Sequence, residues 1–154
     1  MSSASLTSRL LKAFCATALF LAAGAGFASS DTPLHLDGVT TVSADQARKL
    51  RDSGVPVIDI RVANEYVDSH IKGAINVPYK EKSAKDVKFD PSQDSFDLTK
   101  LPPNKEAPLV LYCNGPECWK SYKASKAAQE AGYKKVQWLR GGLPEWKSKG
   151  HPVE

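Results

Sequence analysis

Cysteine is scarce in this sequence, three in 154 residues, too few for a small disulfide-built scaffold. A chain of this length buries enough of itself to hold a core without such staples. Charge of one sign is scarce too: 21 Lys and Arg stand against 17 Asp and Glu, a surplus too small to argue for a nucleic-acid partner. There is no internal repeat and no low-complexity segment. With 42% hydrophobic, 25% charged and 8% aromatic residues, collagen, coiled coil and wholesale disorder are excluded in favour of one ordinary globular domain. His35, His70 and His151 are scattered, and a closed zinc site wants four ligands, so no metal and no other cofactor is expected. The C-x-x-C spacing of thioredoxin-like redox proteins is also missing.

What is present begins with an address. Arg9 and Lys12 precede the apolar stretch from Ala13 to Ala23, and small residues follow up to Gly26-Phe27-Ala28. A basic start, a short apolar centre and a small-residue end make residues 1–28 a secretory signal peptide. The apolar run is short for a membrane span, and no cysteine follows it for lipid attachment, so no lasting membrane association is expected after cleavage. Removing 28 of the 154 residues leaves 126 and takes Cys15 away. The expected location is the periplasm or the extracellular space, an oxidising setting in which Cys113 and Cys118 are the remaining thiols. Residues 29–38 read as a polar leader and residues 39–153 as the folded domain.

Along that domain, strand and helix patterns alternate. Thr40 to Val42 reads as a strand, and Ser43 and Gln46 form a capping box for a helix to about Asp52. Val55 to Ile60 is a nearly continuous apolar run, the mark of a strand covered on both faces. A short helix over Val62 to Ser69, a strand at Ala74 to Val77, a buried strand at Pro108 to Tyr112, a helix from Ser121 to Ala131 and a strand at Lys135 to Leu139 follow. Gly141-Gly142 makes a turn, and Leu143 to Lys149 a last helix. Tyr79 to Ala107 reads as an excursion over the surface, with Val87, Phe89, Phe96, Leu98 and Leu101 dipping into apolar contacts. The alternation specifies an α/β fold with a parallel sheet and helices on both faces.

In such a sheet the ligand site lies beyond the carboxyl ends of the strands, and Cys113 stands directly after the buried strand ending at Tyr112. The loop Asn114, Gly115, Pro116, Glu117, Cys118, Trp119, Lys120 then leads into a helix. A loop curled there aims backbone N–H groups and the positive end of a helix dipole at its centre. That setting favours a thiolate on Cys113, a bound anion beside it and, from Lys120, added positive charge. The bland account is an inert, half-buried cysteine with Gly115-Pro116 serving only as turn chemistry.

Asp59-Ile60-Arg61, Glu65-Tyr66 and His70-Ile71-Lys72-Gly73-Ala74-Ile75-Asn76-Val77-Pro78 resemble the first signature of the rhodanese family. Gly141-Gly142-Leu143-Pro144-Glu145-Trp146 with Gly150-His151-Pro152-Val153 resemble its C-terminal ending. The resemblance covers roughly Val39 to Val153. It implies a five-stranded parallel sheet flanked by helices, and a sulfurtransferase in which one cysteine, here Cys113, takes sulfane sulfur from a small donor such as thiosulfate as a persulfide. The sulfur then passes to a thiophilic acceptor, a small molecule or a protein thiol. A common rhodanese loop carries Arg-Ser where this one carries Cys118-Trp119; alignment through the following helix puts Lys120-Ser121 at that pair and makes the loop CNGPECWKS two residues longer. The family's phosphatase relatives clamp phosphate with a bidentate Arg, and Lys120 is only a point charge.

Other marked residues divide between scaffold and function. Asp59 and Arg61, at a strand's carboxyl end, read chiefly as a structural pair that supports the neighbouring loop. His70 reads as a hydrogen-bonding turn histidine, and Trp138 and Trp146 as core. Trp119, inside the loop, is open between packing, walling the pocket and docking a partner protein. Cys118 is a small hydrophobe or a resolving thiol for Cys113. Three functions therefore stand side by side: a sulfurtransferase, a thiol–disulfide switch using Cys113 and Cys118, and a non-catalytic binding module.

Overall fold

The computed structural model describes residues 31–154; the expected signal peptide, with Cys15, lies outside the described residues. Five strands, β1 (Thr40–Thr41), β2 (Val57–Asp59), β3 (Ile75–Asn76), β4 (Pro108–Tyr112) and β5 (Lys135–Leu139), form one sheet in the order β1-β5-β4-β2-β3. Every pairing is parallel, with Val57 opposite Val110 and Leu111 opposite Trp138. The connections hold α1 (Ala44–Asp52), α2 (Ala63–Asp68), α3 (Trp119–Glu130) and α4 (Gly142–Ser148). Among the described residues no helix is long and apolar enough to cross a membrane.

Strand alternation sorts the core into two layers. Leu109, Leu111 and Cys113 point to the α3 side, where they pack with Ile58, Ile60, Ala124, Ala128 and Val136. Val110 and Tyr112 point to the other side, against Ala44, Ala47, Leu143 and Trp146 from α1 and α4. The capping box forms as expected: the Gln46 N–H donates to Ser43 Oγ, and the Ser43 N–H donates to Gln46 Oε1. The strand expected over Val55 to Ile60 is paired only at its centre, although single bonds extend it. The Val110 N–H donates to the Pro56 carbonyl, and the Ile60 N–H to that of Tyr112.

Three expectations are corrected. Helix α3 begins at Trp119 rather than Ser121, which shortens the loop and puts Lys120 in the first turn. Val87 is 43% exposed and does not dip into apolar contacts. The segment from Tyr79 to Ala107 does more than cross the surface: besides Leu101, which is buried as expected, Tyr79 is buried, and the segment contains two short 3₁₀ turns, Pro91–Gln93 and Leu98–Lys100.

Candidate functional site

Strand β4 lies between β5 and β2, so the loop that leaves its carboxyl end sits over the middle of the sheet. Cys113 is the first residue of that loop and Cys118 caps the N-terminus of α3. The two are joined by a disulfide, with Cα atoms 6.2 Å apart, inside the usual range for such a bridge. Cys113 is 1% exposed, whereas Cys118 is only partly buried.

Neighbouring segments fix the loop from several sides. The Leu143 N–H donates to the Cys113 carbonyl at 2.9 Å. Gly142 has φ +61°, and a Cβ there would collide with the Cys113 carbonyl and the Gly115 nitrogen, so the second glycine of the pair is required by contact as well as by backbone conformation. From the opposite end of the sequence, the Thr32 N–H and hydroxyl both donate to the Pro116 carbonyl, at 2.8 and 2.7 Å. Arg140 in turn donates to the carbonyls of Thr32 and Pro33. Thr32 and Pro33 of the expected leader are therefore anchored to the loop and to Arg140.

The seven residues expected to cradle an anion have more varied work. Pro116 has no N–H to offer, and the Cys118 N–H donates to Gly115 within the loop. The Asn114 side chain donates to Glu65 and accepts a 3.4 Å bond from Arg61. Glu117, Trp119 and Lys120 join Glu81, Lys85, Asn114 and Cys118 around a cavity of about 270 Å³. A larger hollow of about 470 Å³ lies elsewhere, lined by His35, Tyr122 and Lys126 among others, but no sulfur opens into it.

Beneath the loop, Asp59 and Arg61 form a buried pair, with Arg61 Nη2 2.5 Å from Asp59 Oδ2. Arg61 also donates to the Ser69 carbonyl, and the Tyr112 hydroxyl donates to Asp59 Oδ2 at 2.5 Å. Burial opposes the Arg61 charge, yet the Asp59 carboxylate outweighs it and holds the guanidinium more firmly protonated than usual. Burial first, and the Asp59 charge second, push the Tyr112 hydroxyl well up, so it stays a proton donor. This chain of contacts runs from the sheet through Arg61 to Asn114.

His70 packs flat on Tyr66 and its Nδ1 lies 2.8 Å from the Tyr66 carbonyl oxygen, as a turn histidine should. Trp138 and Trp146 are fully buried. Trp119 is also buried, edge-on to Tyr122, while one part of it reaches the cavity beside Cys118. Sequence reasoning missed Lys123. Its side chain is wholly buried in α3, with Nζ 2.8 Å from Glu81 Oε2 in an ion pair, 3.8 Å from Asp94 Oδ2, and donating to Ser83 Oγ at 2.8 Å. Lys123 thereby ties the 79–107 excursion to the helix that carries Cys118. No local signal marks it, because its acidic partners Glu81 and Asp94 lie far away along the chain.

The geometry so far defines a parallel α/β domain with a loop cysteine over its central strand, and comparison with known proteins agrees. The family model described as "Rhodanese-like domain" matches residues 43–149. An HTH-type transcriptional regulator of Mycobacterium tuberculosis is 31% identical over 111 residues, which is 72% of this chain but only 42% of the regulator. The thiosulfate:glutathione sulfurtransferase of Saccharomyces cerevisiae is 30% identical over 99 residues, 64% of this chain and 69% of that protein. Among solved structures, the BH2092 protein from Bacillus halodurans superposes with a TM-score of 0.56 at 25% identity, covering 75% of this chain and 76% of that one. The chain belongs to the rhodanese-like domain family, and sulfurtransferases are among its relatives.

Proposed function

We propose that this protein is an exported sulfurtransferase that carries sulfane sulfur on Cys113, and that the Cys113–Cys118 disulfide is its oxidised, unloaded form. The observation that carries the reading is the position of Cys113, at the carboxyl end of the central strand and just ahead of the α3 N-terminus. A thiolate there is favoured by the helix dipole. With thiosulfate as donor, the Cys113 thiolate attacks the outer sulfur, the sulfur–sulfur bond breaks, and sulfite leaves with the bonding pair. A thiophilic acceptor then removes the outer sulfur of the persulfide and returns the thiolate. The name of the yeast relative, thiosulfate:glutathione sulfurtransferase, supports this donor class and a thiol as acceptor. The signal-like residues 1–28 support export, with a mature chain beginning near Ser29.

The disulfide also favours a second reading, a thiol–disulfide switch in which Cys113 and Cys118 cycle and no sulfur is carried. Thiocyanate formation from thiosulfate and cyanide by the reduced protein separates the two. A carrier loses this activity in Cys113→Ser and keeps it in Cys118→Ser, because a persulfide needs one sulfur and a disulfide cycle needs two. No thiocyanate from the reduced wild-type protein, with the cysteine pair still cycling by reversible two-electron oxidation, would favour the switch.

A further inference from the structure

The two sulfurs of the disulfide are not equivalent. Cys113 Sγ belongs to the α3-side core, packed with Ile60, Leu111 and Ala124, and the residue is 1% exposed. Cys118 lines the 270 Å³ cavity with Glu81, Lys85, Asn114, Glu117, Trp119 and Lys120. Which sulfur an incoming thiolate strikes depends on access and on how well the other sulfur leaves. Access selects Cys118, the sulfur that borders the cavity.

Charge around the cavity sets the kind of thiol. The lining carries two carboxylates, Glu81 and Glu117, and two lysines, Lys85 and Lys120, and Lys123 behind Glu81 is shared with Asp94. The side-chain charges cancel, so the positive end of the 12-residue helix tips the cavity toward an anion. The volume, about 270 Å³, lies just below the usual range for ligand cavities and suits only a low-molecular-weight thiol.

We propose that the cavity beside Cys118 is the entry site for a small anionic thiol, which reduces the disulfide by attacking Cys118 and so opens the sulfur-transfer site. The proposal rests on the reading of Cys113 as the sulfur carrier, since only then does freeing Cys113 switch on sulfur transfer. In the first step the incoming thiolate bonds to Cys118 Sγ, the bridge breaks, and Cys113 departs as a thiolate. In the second step another molecule of thiol attacks the mixed disulfide at the sulfur bonded to Cys118, and Cys118 leaves as a thiolate. Two thiols are oxidised to one small disulfide, and the protein disulfide gains two electrons.

The test uses the oxidised mature protein and three thiols of equal length and different charge: mercaptoethanesulfonate, mercaptoethanol and cysteamine. After a short exposure and alkylation, peptide mapping by mass spectrometry should find the small thiol on Cys118 and the alkyl label on Cys113. The reverse pattern, or adducts shared evenly between the two, would overturn the assignment. Charge reversal at the cavity rim, Lys85→Glu with Lys120→Glu, should slow initial attack by the sulfonate about fivefold while leaving the neutral thiol little changed. Equal slowing of all three thiols would overturn the charge selection. Sulfur loading of Cys118→Ser, which has no bridge to reduce, is scored separately. Its failure would reject Cys113 as carrier, whereas the adduct map alone decides where the thiol attacks.

Discussion

Gly142 shows how a single hydrogen atom in place of a side chain can hold a reactive loop. The Cys113 carbonyl and the Gly115 nitrogen occupy the space a Cβ would need, and φ is +61°. In Gly142→Ala the loop or α4 must move, with a loss of about 2 kcal/mol from overpacking and backbone strain. Urea denaturation should show that loss, and the reduced variant should load sulfur more slowly; wild-type values for both would contradict the role given to this contact. The sequence read Gly141-Gly142 as a turn; Gly141 is the turn and Gly142 is already the first residue of α4. It did not reveal the contact with Cys113, because nothing in a dipeptide records what packs against it from a distant segment. Cys113 itself was legible, since a buried strand followed by a cysteine, a turn and a helix is a local pattern.

At the level of elements, Lys123 governs how the long excursion attaches to α3. Its charge is buried beside Glu81 and Asp94, so Lys123→Met leaves two carboxylates facing a neutral side chain and should cost about 3 kcal/mol, read as a lower unfolding midpoint in urea. An unchanged midpoint would mean that the ion pairs contribute nothing net. Asp94 gives a second handle. Burial works against its charge, but donors from Ser83, Lys82 and Tyr79 prevail and hold its carboxyl below the usual range. A carboxyl depressed in the folded state adds stability that is present above its unfolded pKa, about 4, and lost as pH falls through the folded value. Acidification below about pH 4 should therefore loosen residues 79–107. Hydrogen exchange in that segment should rise with acid in the wild type, while Asp94→Asn should exchange quickly already at neutral pH and respond less. A lysine flanked by Tyr122 and Ala124 reads in sequence as a solvated helix residue, and its partners are supplied by tertiary contact alone.

Across the domain, the parallel topology accounts for why these contacts converge. Strand order β1-β5-β4-β2-β3 sets β4 in the middle of the sheet, so the loop after it is reached by α4, by Arg61 at the end of β2 and by Thr32 from the N-terminal segment. Alternation of apolar runs with helical faces made the α/β class readable: the central strands β2 and β4, covered on both sides, carry that pattern in nearly every residue, whereas the short edge strands β1 and β3 are half-exposed. The packed course of residues 31–36 was not readable, since a short polar leader has no periodicity. A chain beginning at Ser29 would keep Thr32 on the Pro116 carbonyl, whereas one shortened past Thr32 frees one side of the loop.

The central claim is that Cys113 carries sulfur, and the intact mass of the protein tests it most directly. Mature protein, reduced and freed of reductant, is given thiosulfate and weighed, then digested to locate the change. The account requires a gain of about 32 Da on Cys113 that cyanide removes as thiocyanate. Fully reduced protein with Cys113 free and no added sulfur, or sulfur found only on Cys118, would contradict it.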